Sequence, residues 1–180
     1  MSKKSVYFIL AITITIWLIF LLNRVLYFDF NTFGILPRTK HGLFGVIFSP
    51  LLHGNFEHIS SNTIPLIIFS VFLFTFYNKI GYKVFFINWL LSGLLTWIFA
   101  RTALHIGASS LIFALASFLI FSGIFRKNFI QLTISITMII IYGSSLLYGV
   151  IPVDSHISWE GHLMGLISGA LTAYLFKRVK

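Results

Sequence analysis

An all-α membrane protein with six transmembrane helices is the fold that this sequence predicts. Of its 180 residues, 58% are hydrophobic and only 9% are charged, whereas ordinary soluble domains carry roughly 25% charged residues. The apolar residues fall into six runs, each near the length of about 20 residues with which a helix crosses a bilayer. Little sequence lies between these runs, so we expect a single membrane domain over residues 1–180.

The predicted spans are separated by charged or glycine-containing turns. They cover residues 6–26, 58–77, 84–104, 108–125, 129–150 and 161–176. The last of them is short for a complete span. The first follows Lys3 and Lys4 as a signal peptide would, but no small-residue cleavage site comes after it, so we expect it to be retained as a helix.

The loop between the first two predicted spans is unusually apolar. Residues 41–56 carry no Lys, Arg or Asp before Glu57, yet Gly42, Gly45, Pro50 and Gly54 argue against a complete span. An ordinary apolar loop and an interfacial or re-entrant segment both fit this pattern. The many Phe, Leu and Ile residues between positions 28 and 57 favour interfacial burial. We therefore expect a first outer loop that is partly embedded in the membrane.

Positive charge predicts the orientation, because Lys and Arg are retained on the cytoplasmic side during insertion. With six spans, an inside N-terminus places nine of the 13 basic residues inside: Lys3, Lys4, Lys79, Lys83, Arg126, Lys127, Lys177, Arg178 and Lys180. The remaining four lie outside: Arg24, Arg38, Lys40 and Arg101. We therefore expect a multi-pass protein of the cell membrane with both termini in the cytoplasm.

In this orientation, all ten acidic and histidine residues fall at or near the outer ends of the spans. They are Asp29, Glu57, Asp154, Glu160, His41, His53, His58, His105, His156 and His162. A general preference of histidine for interfaces does not explain why none lies on the inner side. The pattern indicates proton-transfer chemistry concentrated on one face of the membrane.

Several function classes fit the sequence poorly. The net charge of +9 comes from residues between apolar runs, not from a basic patch interleaved with solvent-facing aromatics, so no nucleic-acid partner is expected. Cysteine is absent, and there is no His-Glu-x-x-His pattern, so neither a thiolate nucleophile nor a metal or other cofactor is expected. A small transporter would place ionisable groups near mid-membrane or show paired broken helices, and the sequence shows neither.

A potential nucleophile and a potential base open two of the predicted spans. Gly107-Ala108-Ser109-Ser110 begins the fourth span and Gly161-His162 begins the sixth. Counted from the basic residues at the inner ends, Ser109 lies about 26 Å and His162 about 22 Å up the membrane at 1.5 Å per residue. Similar depths are what a proton transfer from serine to histidine requires.

Small residues predict that these two helices approach closely. Gly161, Gly165 and Gly169 recur every fourth residue on the sixth span, a spacing that lets backbones meet. Small residues at helical spacing on the fourth span are Ser110, Ala114 and Ser117. Taken alone, the glycines are explained by ordinary packing, and Ser109 by a hydroxyl bonded to its own backbone.

A third polar element opens the second span. His58 and Asn62 are four residues apart and therefore share a helix face. Both side chains donate hydrogen bonds, and such donors stabilise the negative charge that develops on the carbonyl oxygen during acyl transfer. By itself the pair could equally be structural or bind an ion.

Together these motifs resemble the rhomboid family: His58-x-x-x-Asn62, then Gly107-Ala108-Ser109, then His162-x-x-Gly165-x-x-x-Gly169. The resemblance covers nearly the whole chain and is to the six-helix bacterial core. It implies a rhomboid-like bundle and an intramembrane serine endopeptidase that hydrolyses peptide bonds in or next to transmembrane segments. Its partners would be transmembrane protein substrates and the lipid bilayer, without nucleic acid, metal or cofactor.

The resemblance also implies a role for each matched residue. Ser109 would be the nucleophile and His162 the general base. His58, Asn62 and the Ser109 backbone N–H would form the oxyanion hole. The supporting residues would be His53, Gly107, Phe113, Gly165 and Gly169.

Three departures from the family pattern affect the details of the site more than the class of reaction. Ser110 stands where a glycine usually follows the nucleophile, and alignment with Gly107 favours Ser109 over Ser110 as the reactive hydroxyl. Phe113 replaces a frequent tyrosine, so it could pack against His162 without donating a hydrogen bond. The acidic Gly-x-x-x-Glu-x-x-x-Gly pattern of the second span is missing. The alternative is a catalytically silent rhomboid-like scaffold, against which the presence of both Ser109 and His162 weighs.

Overall fold

A computed structural model describes residues 1–26, 28–152 and 157–179, and within them it shows seven α-helices and no β-strand. The helices are α1 Lys3–Val25, α2 Lys40–Phe48, α3 Phe56–Phe76, α4 Gly81–Phe99, α5 Ser109–Arg126, α6 Phe129–Gly149 and α7 Trp159–Leu175. Short 3₁₀ turns occupy Phe30–Phe33 and Ser49–Leu51. The predicted all-α class is confirmed.

Among the described residues, five helices are long and apolar enough to cross a membrane: α1, α3, α4, α5 and α6. The sixth predicted span corresponds to α7, whose 17 residues stand at the lower limit of the roughly 17 to 25 that span a bilayer. This helix lies inside the bundle, where it packs against α5 and α4. Apart from Glu160, its buried residues are small, which explains why its composition is less apolar than that of the other helices.

The third span differs from its prediction at both ends. The sequence predicts residues 84–104, but α4 begins at Gly81 and ends at Phe99. The chain leaves the helix early because the carbonyls of Ile98 and Ala100 accept hydrogen bonds from the Arg38 guanidinium. Residues 100–108 then form a loop, in which His105 exchanges two backbone hydrogen bonds with Ile35.

The apolar segment of the first loop forms a short helix and no complete span. Thr39 caps α2 by accepting a hydrogen bond from the Gly42 N–H. Two tryptophans of α4 hold the segment in place, since Trp89 donates to the Ile47 carbonyl and Trp97 donates to the Thr39 carbonyl. The loop is thus fastened along the side of α4. Its membrane insertion stays a prediction.

The closest helix contact joins α5 and α7. A Cβ at Gly165 would overlap the Ser110 carbonyl oxygen, and one at Gly169 would overlap the Ala114 carbonyl oxygen, so only glycine allows this approach. The third glycine of the predicted small face, Gly161, instead faces Thr96 of α4.

Charges divide the bundle into two ends. We call one the histidine end; it holds His41, His53, His58, His105 and His162, with Asp29, Glu57 and Glu160. The other is the basic end, with Lys3, Lys4, Lys79, Lys83, Arg126, Lys127, Lys177 and Arg178. His156, Asp154 and Lys180, which the orientation argument also used, lie outside the described residues. Which end faces the cytoplasm stays a prediction.

Candidate active site

His162 is held in one tautomer by the end of α6. Its Nδ1 lies 2.7 Å from the carbonyl oxygen of Gly149. Because a carbonyl oxygen only accepts hydrogen bonds, Nδ1 must carry the proton and donate it. The other ring nitrogen, Nε2, is therefore left with a free lone pair. A neutral imidazole in this tautomer is ready to accept a proton.

The ring of Phe113 fixes the plane of the same imidazole. The two ring centroids are 4.1 Å apart and the planes are inclined by only 9°. Gly149 closes this arrangement, since a Cβ there would overlap Phe113 and lie 3.1 Å from His162 Nδ1. Phenylalanine at position 113 thus supplies the flat packing surface, although it has no hydroxyl that could hydrogen-bond.

Ser109 is the first residue of α5 and follows a strained turn. Gly107 has a φ of +108°, a region that favours glycine, and a Cβ at this position would overlap the imidazole of His58. The Gly107 N–H donates to the Ser49 carbonyl, which anchors the turn to the first loop. The turn therefore places the start of α5 directly beside the start of α3.

The packing register brings Ser109 and His162 to similar depth. Gly165 lies opposite Ser110 and Gly169 lies opposite Ala114, which is the same offset at both contacts. Extending this register by one turn puts His162 two residues above the level of Ser109, a difference of about 3 Å. Both side chains are half-buried at the histidine end.

The two neighbouring serines differ in exposure. Ser110 is only 8% exposed, and its carbonyl packs against Gly165. Ser109 is more exposed, and within the described part of the chain its hydroxyl makes no side-chain hydrogen bond. In unliganded enzymes, catalytic hydrogen bonds are often open and form only with substrate. Ser109 is therefore the more accessible of the two hydroxyls.

The polar side chains of α3 and the preceding loop meet the same turn. The rings of His53 and His58 contact edge-to-face with centroids 4.9 Å apart. The Ala108 N–H points to His53 Nε2 at 3.5 Å, and Asn62 Nδ2 donates to the His58 carbonyl at 2.9 Å. His53 and His58 thus lie next to the residues that precede Ser109, and Asn62 follows His58 one turn further along α3.

Two polar atoms of this cluster are buried without a hydrogen-bond partner among the described residues: His53 Nδ1 and Asn62 Oδ1. Burial, reinforced by the neighbouring His58, lowers the pKa of His53 to about 3, so this side chain is neutral at physiological pH. Unsatisfied buried groups are rare and often belong to functional sites. His53 and Asn62 also lie near each other, so the two unpaired atoms belong to neighbouring side chains.

A polar latch, formed by Arg101, His105, Ser158 and Glu160, holds the start of α7. Arg101 Nη1 lies 3.1 Å from both carboxylate oxygens of the buried Glu160. His105 Nε2 donates to the Arg101 carbonyl, and its Nδ1 lies 2.6 Å from the Ser158 hydroxyl, from which it accepts. Burial lowers the pKa of His105 and favours this neutral form. The latch positions the helix turn that carries His162.

Sequence reasoning missed the latch and the Gly149 carbonyl. A carbonyl has no side-chain signature, so only the small residue that ends α6 could have hinted at it. Arg101 and Glu160 are 59 positions apart, and only their opposite charges at two outer helix ends could have suggested a pair. Within the described ranges, no three His, Cys, Asp or Glu side chains group so as to hold a metal ion.

The fold and these contacts define a multi-pass helical membrane protein with polar side chains gathered at one end of its bundle. Residues 40–179 match the family model of the Rhomboid domain. The chain therefore belongs to the rhomboid family, as its motifs predict.

Two mycobacterial proteins illustrate the relationship. An uncharacterized protein of Mycobacterium tuberculosis is 37% identical over 177 residues, which cover 93% of this chain and 73% of the relative. An uncharacterized protein of Mycobacterium leprae is 32% identical over 176 residues, which cover 93% of this chain and 69% of the relative. The similarity thus extends beyond the Rhomboid domain to nearly all of the chain.

Proposed function

We propose that this chain is an intramembrane serine endopeptidase with Ser109 as its nucleophile and His162 as its general base. The observation that carries the proposal is the hydrogen bond from His162 Nδ1 to the Gly149 carbonyl. It leaves Nε2 as a proton acceptor on the helix that packs most closely on α5, whose first residue is Ser109. A base oriented by a third group, beside a hydroxyl nucleophile, is the general arrangement for acyl transfer.

In the first step, the Ser109 Oγ attacks the carbonyl carbon of the scissile peptide bond while His162 Nε2 takes its proton. The imidazolium that forms keeps its Nδ1–H on the Gly149 carbonyl, whose partial negative charge stabilises the cation. A carbonyl thereby serves as the orienting group that is a carboxylate in other serine proteases. Stacking on Phe113 keeps the ring in place as its charge changes.

The carbonyl oxygen becomes an oxyanion in this step, and donors near Ser109 stabilise it. Asn62 uses one N–H within its own helix and has a second one to offer. His58 and the Ser109 backbone N–H supply the others. Collapse of the intermediate transfers the proton from His162 Nε2 to the leaving amine, and water then hydrolyses the acyl-enzyme with His162 again as base.

The substrate class follows from the surroundings of the site. Apolar helix surfaces surround the histidine end, so a polypeptide that reaches Ser109 from the side must itself be lipid-soluble. We therefore expect membrane proteins with a transmembrane segment as substrates, cut near the outer face, with both termini of the enzyme in the cytoplasm.

Labelling with a fluorophosphonate probe tests the proposal. The purified protein in proteoliposomes should form a covalent adduct that peptide mapping places on Ser109, and it should cleave a generic transmembrane substrate. Ser109→Ala and His162→Ala should lower cleavage by about 10⁴-fold or more, as in other serine proteases. Ser110→Ala, which removes the adjacent hydroxyl, is the matched control and should stay active.

An adduct on Ser110, or full cleavage by Ser109→Ala, would refute the assignment of the nucleophile. A folded wild-type protein that neither reacts with the probe nor cleaves any transmembrane substrate would instead support the catalytically silent scaffold. Circular dichroism on every variant separates loss of chemistry from loss of fold.

A further inference from the structure

The basic end of the bundle carries an open cleft that the proposed proteolysis does not use. Its volume is about 650 Å³, within the roughly 300 to 1,000 Å³ of small-ligand sites. The turn after α3, the ends of α5 and α7 and the beginning of α6 form its walls. It lies at the opposite end of these helices from Ser109 and His162.

The lining of this cleft is strongly and uniformly basic. Four cationic side chains contribute to it: Lys79, Arg126, Lys177 and Arg178. None of its lining residues is acidic. Of the four acidic side chains, Asp29, Glu57 and Glu160 lie at the histidine end, and Asp154 lies outside the described residues. The positive charge of the cleft is therefore not neutralised by the residues that line it.

Arg126 forms a fixed cationic wall of the cleft. Its Nη1 and Nη2 donate to the carbonyls of Val179 and Phe176 at 2.7 and 2.8 Å, and its guanidinium stacks 5.0 Å from the ring centroid of Tyr77. Its Nε is buried without a hydrogen-bond partner among the described residues. Burial raises the pKa of Tyr77 to about 12, so that side chain supplies no negative charge. Arg126 therefore has one donor that no described residue uses.

Two of the other three cationic side chains of the cleft are more accessible than Arg126. Lys79 and Arg178 are exposed, and no hydrogen bond or ion pair engages their side chains within the described part of the chain. Lys177 Nζ lies 3.5 Å above the centroid of the Tyr174 ring. Exposed apolar side chains, such as Phe76 and Val179, stand beside these charges in the same cleft. Cations next to apolar surface match a ligand with an anionic head and a hydrocarbon tail.

We propose that this cleft binds the phosphate of an anionic phospholipid, with the headgroup between Lys79 and Arg178 and an acyl chain along Phe76. The cleft lies where the apolar spans end, which is the level of the lipid phosphates. In the expected orientation this is the cytoplasmic side, where basic pockets between transmembrane helices bind anionic headgroups. Retention of positive charge during insertion explains the number of basic residues, but it does not require four of them to converge on one cleft.

Native mass spectrometry of the full chain in detergent tests this site. Phosphatidylglycerol should bind with a stoichiometry near one, whereas phosphatidylcholine should not. Lys79→Gln with Arg178→Gln should weaken phosphatidylglycerol binding about thirty-fold, since each basic residue near a lipid surface contributes about 1 kcal/mol. Lys3→Gln with Lys4→Gln removes two exposed cations from the same end but away from the cleft, and it should leave binding within about twofold.

Equal losses in the two double variants would overturn the site in favour of diffuse surface charge. Binding of inorganic phosphate that blocks phosphatidylglycerol and matches its affinity would overturn the assignment to a lipid. Because Lys79 and Arg178 are exposed and their side chains make no hydrogen bond or ion pair within the described ranges, their replacement should not unfold the bundle, and circular dichroism checks this. Protease activity is not part of the readout, so the result is independent of the proposed catalytic function.

Discussion

Two clusters of polar side chains lie inside this apolar bundle, and they differ in how completely their hydrogen bonds are made. The first joins α4 to α7 and consists of Asn88, Ser168 and Thr172, each fully buried. Asn88 Nδ2 donates to Val84 and Thr172, while its Oδ1 accepts from Ser168 and Thr172. Every polar atom of Asn88 is thus satisfied within the protein.

The second cluster, at the histidine end, leaves capacity unused. His53 Nδ1 and Asn62 Oδ1 are buried without a partner among the described residues, and His162 Nε2 keeps a free lone pair. In an apolar medium an unpaired polar group costs several kcal/mol. The hydrogen bonds of the first cluster join α4 to α7, whereas the second cluster contains polar atoms with no such bond among the described residues. We therefore expect substitutions in the first, closed cluster to affect stability and substitutions in the second, open cluster to affect the proposed activity.

The largest expected effect lies in the open cluster. Asn62→Ala and His58→Ala should each lower kcat by roughly 10²- to 10³-fold, because an oxyanion donor acts only as the transition state forms. Substrate binding and thermal unfolding should change much less. Steady-state cleavage of a transmembrane substrate in proteoliposomes measures this. If both variants kept the wild-type kcat, His58 and Asn62 would be packing residues with no role in catalysis.

Asn88→Ala is the matched substitution in the closed cluster. It should lower the free energy of unfolding by about 2 to 3 kcal/mol, since it removes two interhelical hydrogen-bond partners and leaves a cavity. Turnover per folded molecule should stay near that of the wild type. Unfolding by denaturing detergent, followed by circular dichroism, gives the stability. If Asn88→Ala lost turnover and Asn62→Ala lost stability, the comparison between the clusters would be reversed.

A smaller effect is expected at Gly149, which belongs to neither cluster but orients the base. Gly149→Ala would push a methyl group into Phe113 and toward His162 Nδ1, and we expect about a tenfold lower kcat with little change in KM. Gly143→Ala on the same helix is the control, because a Cβ there lies 3.6 Å from its nearest neighbour, an ordinary contact. Equal activity of both variants would exclude an orienting role for the Gly149 carbonyl.

Much of the fold follows from the sequence, because a lipid-facing helix must be apolar along its whole length. That condition locates α1, α3, α5 and α6 to within a few residues. It fails at the end of α4, where hydrogen bonds from the distant Arg38 decide the last helical residue. A run of apolar residues in the sequence does not reveal such long-range hydrogen bonds.

The candidate site also has a part that the sequence predicts and a part that it does not. Ser109, His162, His58 and Asn62 each stand in the first turns of a helix, so their spacing in the sequence predicts which face they share, and the structure places them at one end of the bundle. The flat contact between Phe113 and His162 also accords with the sequence. The Gly149 carbonyl and the latch around Glu160 were not predictable, since they depend on how separate helices end beside one another.

The first loop has a further consequence for affinity. Arg38 donates to the carbonyls of Ile98 and Ala100 and to the Thr102 hydroxyl, while α2 is held by Trp89 and Trp97. Fixing a flexible residue costs roughly 1 to 2 kcal/mol in lost conformational entropy. For this loop, the conformational entropy is lost when the protein folds, before any partner binds. The loop is therefore preorganised, so its ordering would not weaken the binding of the transmembrane segment that we propose as substrate.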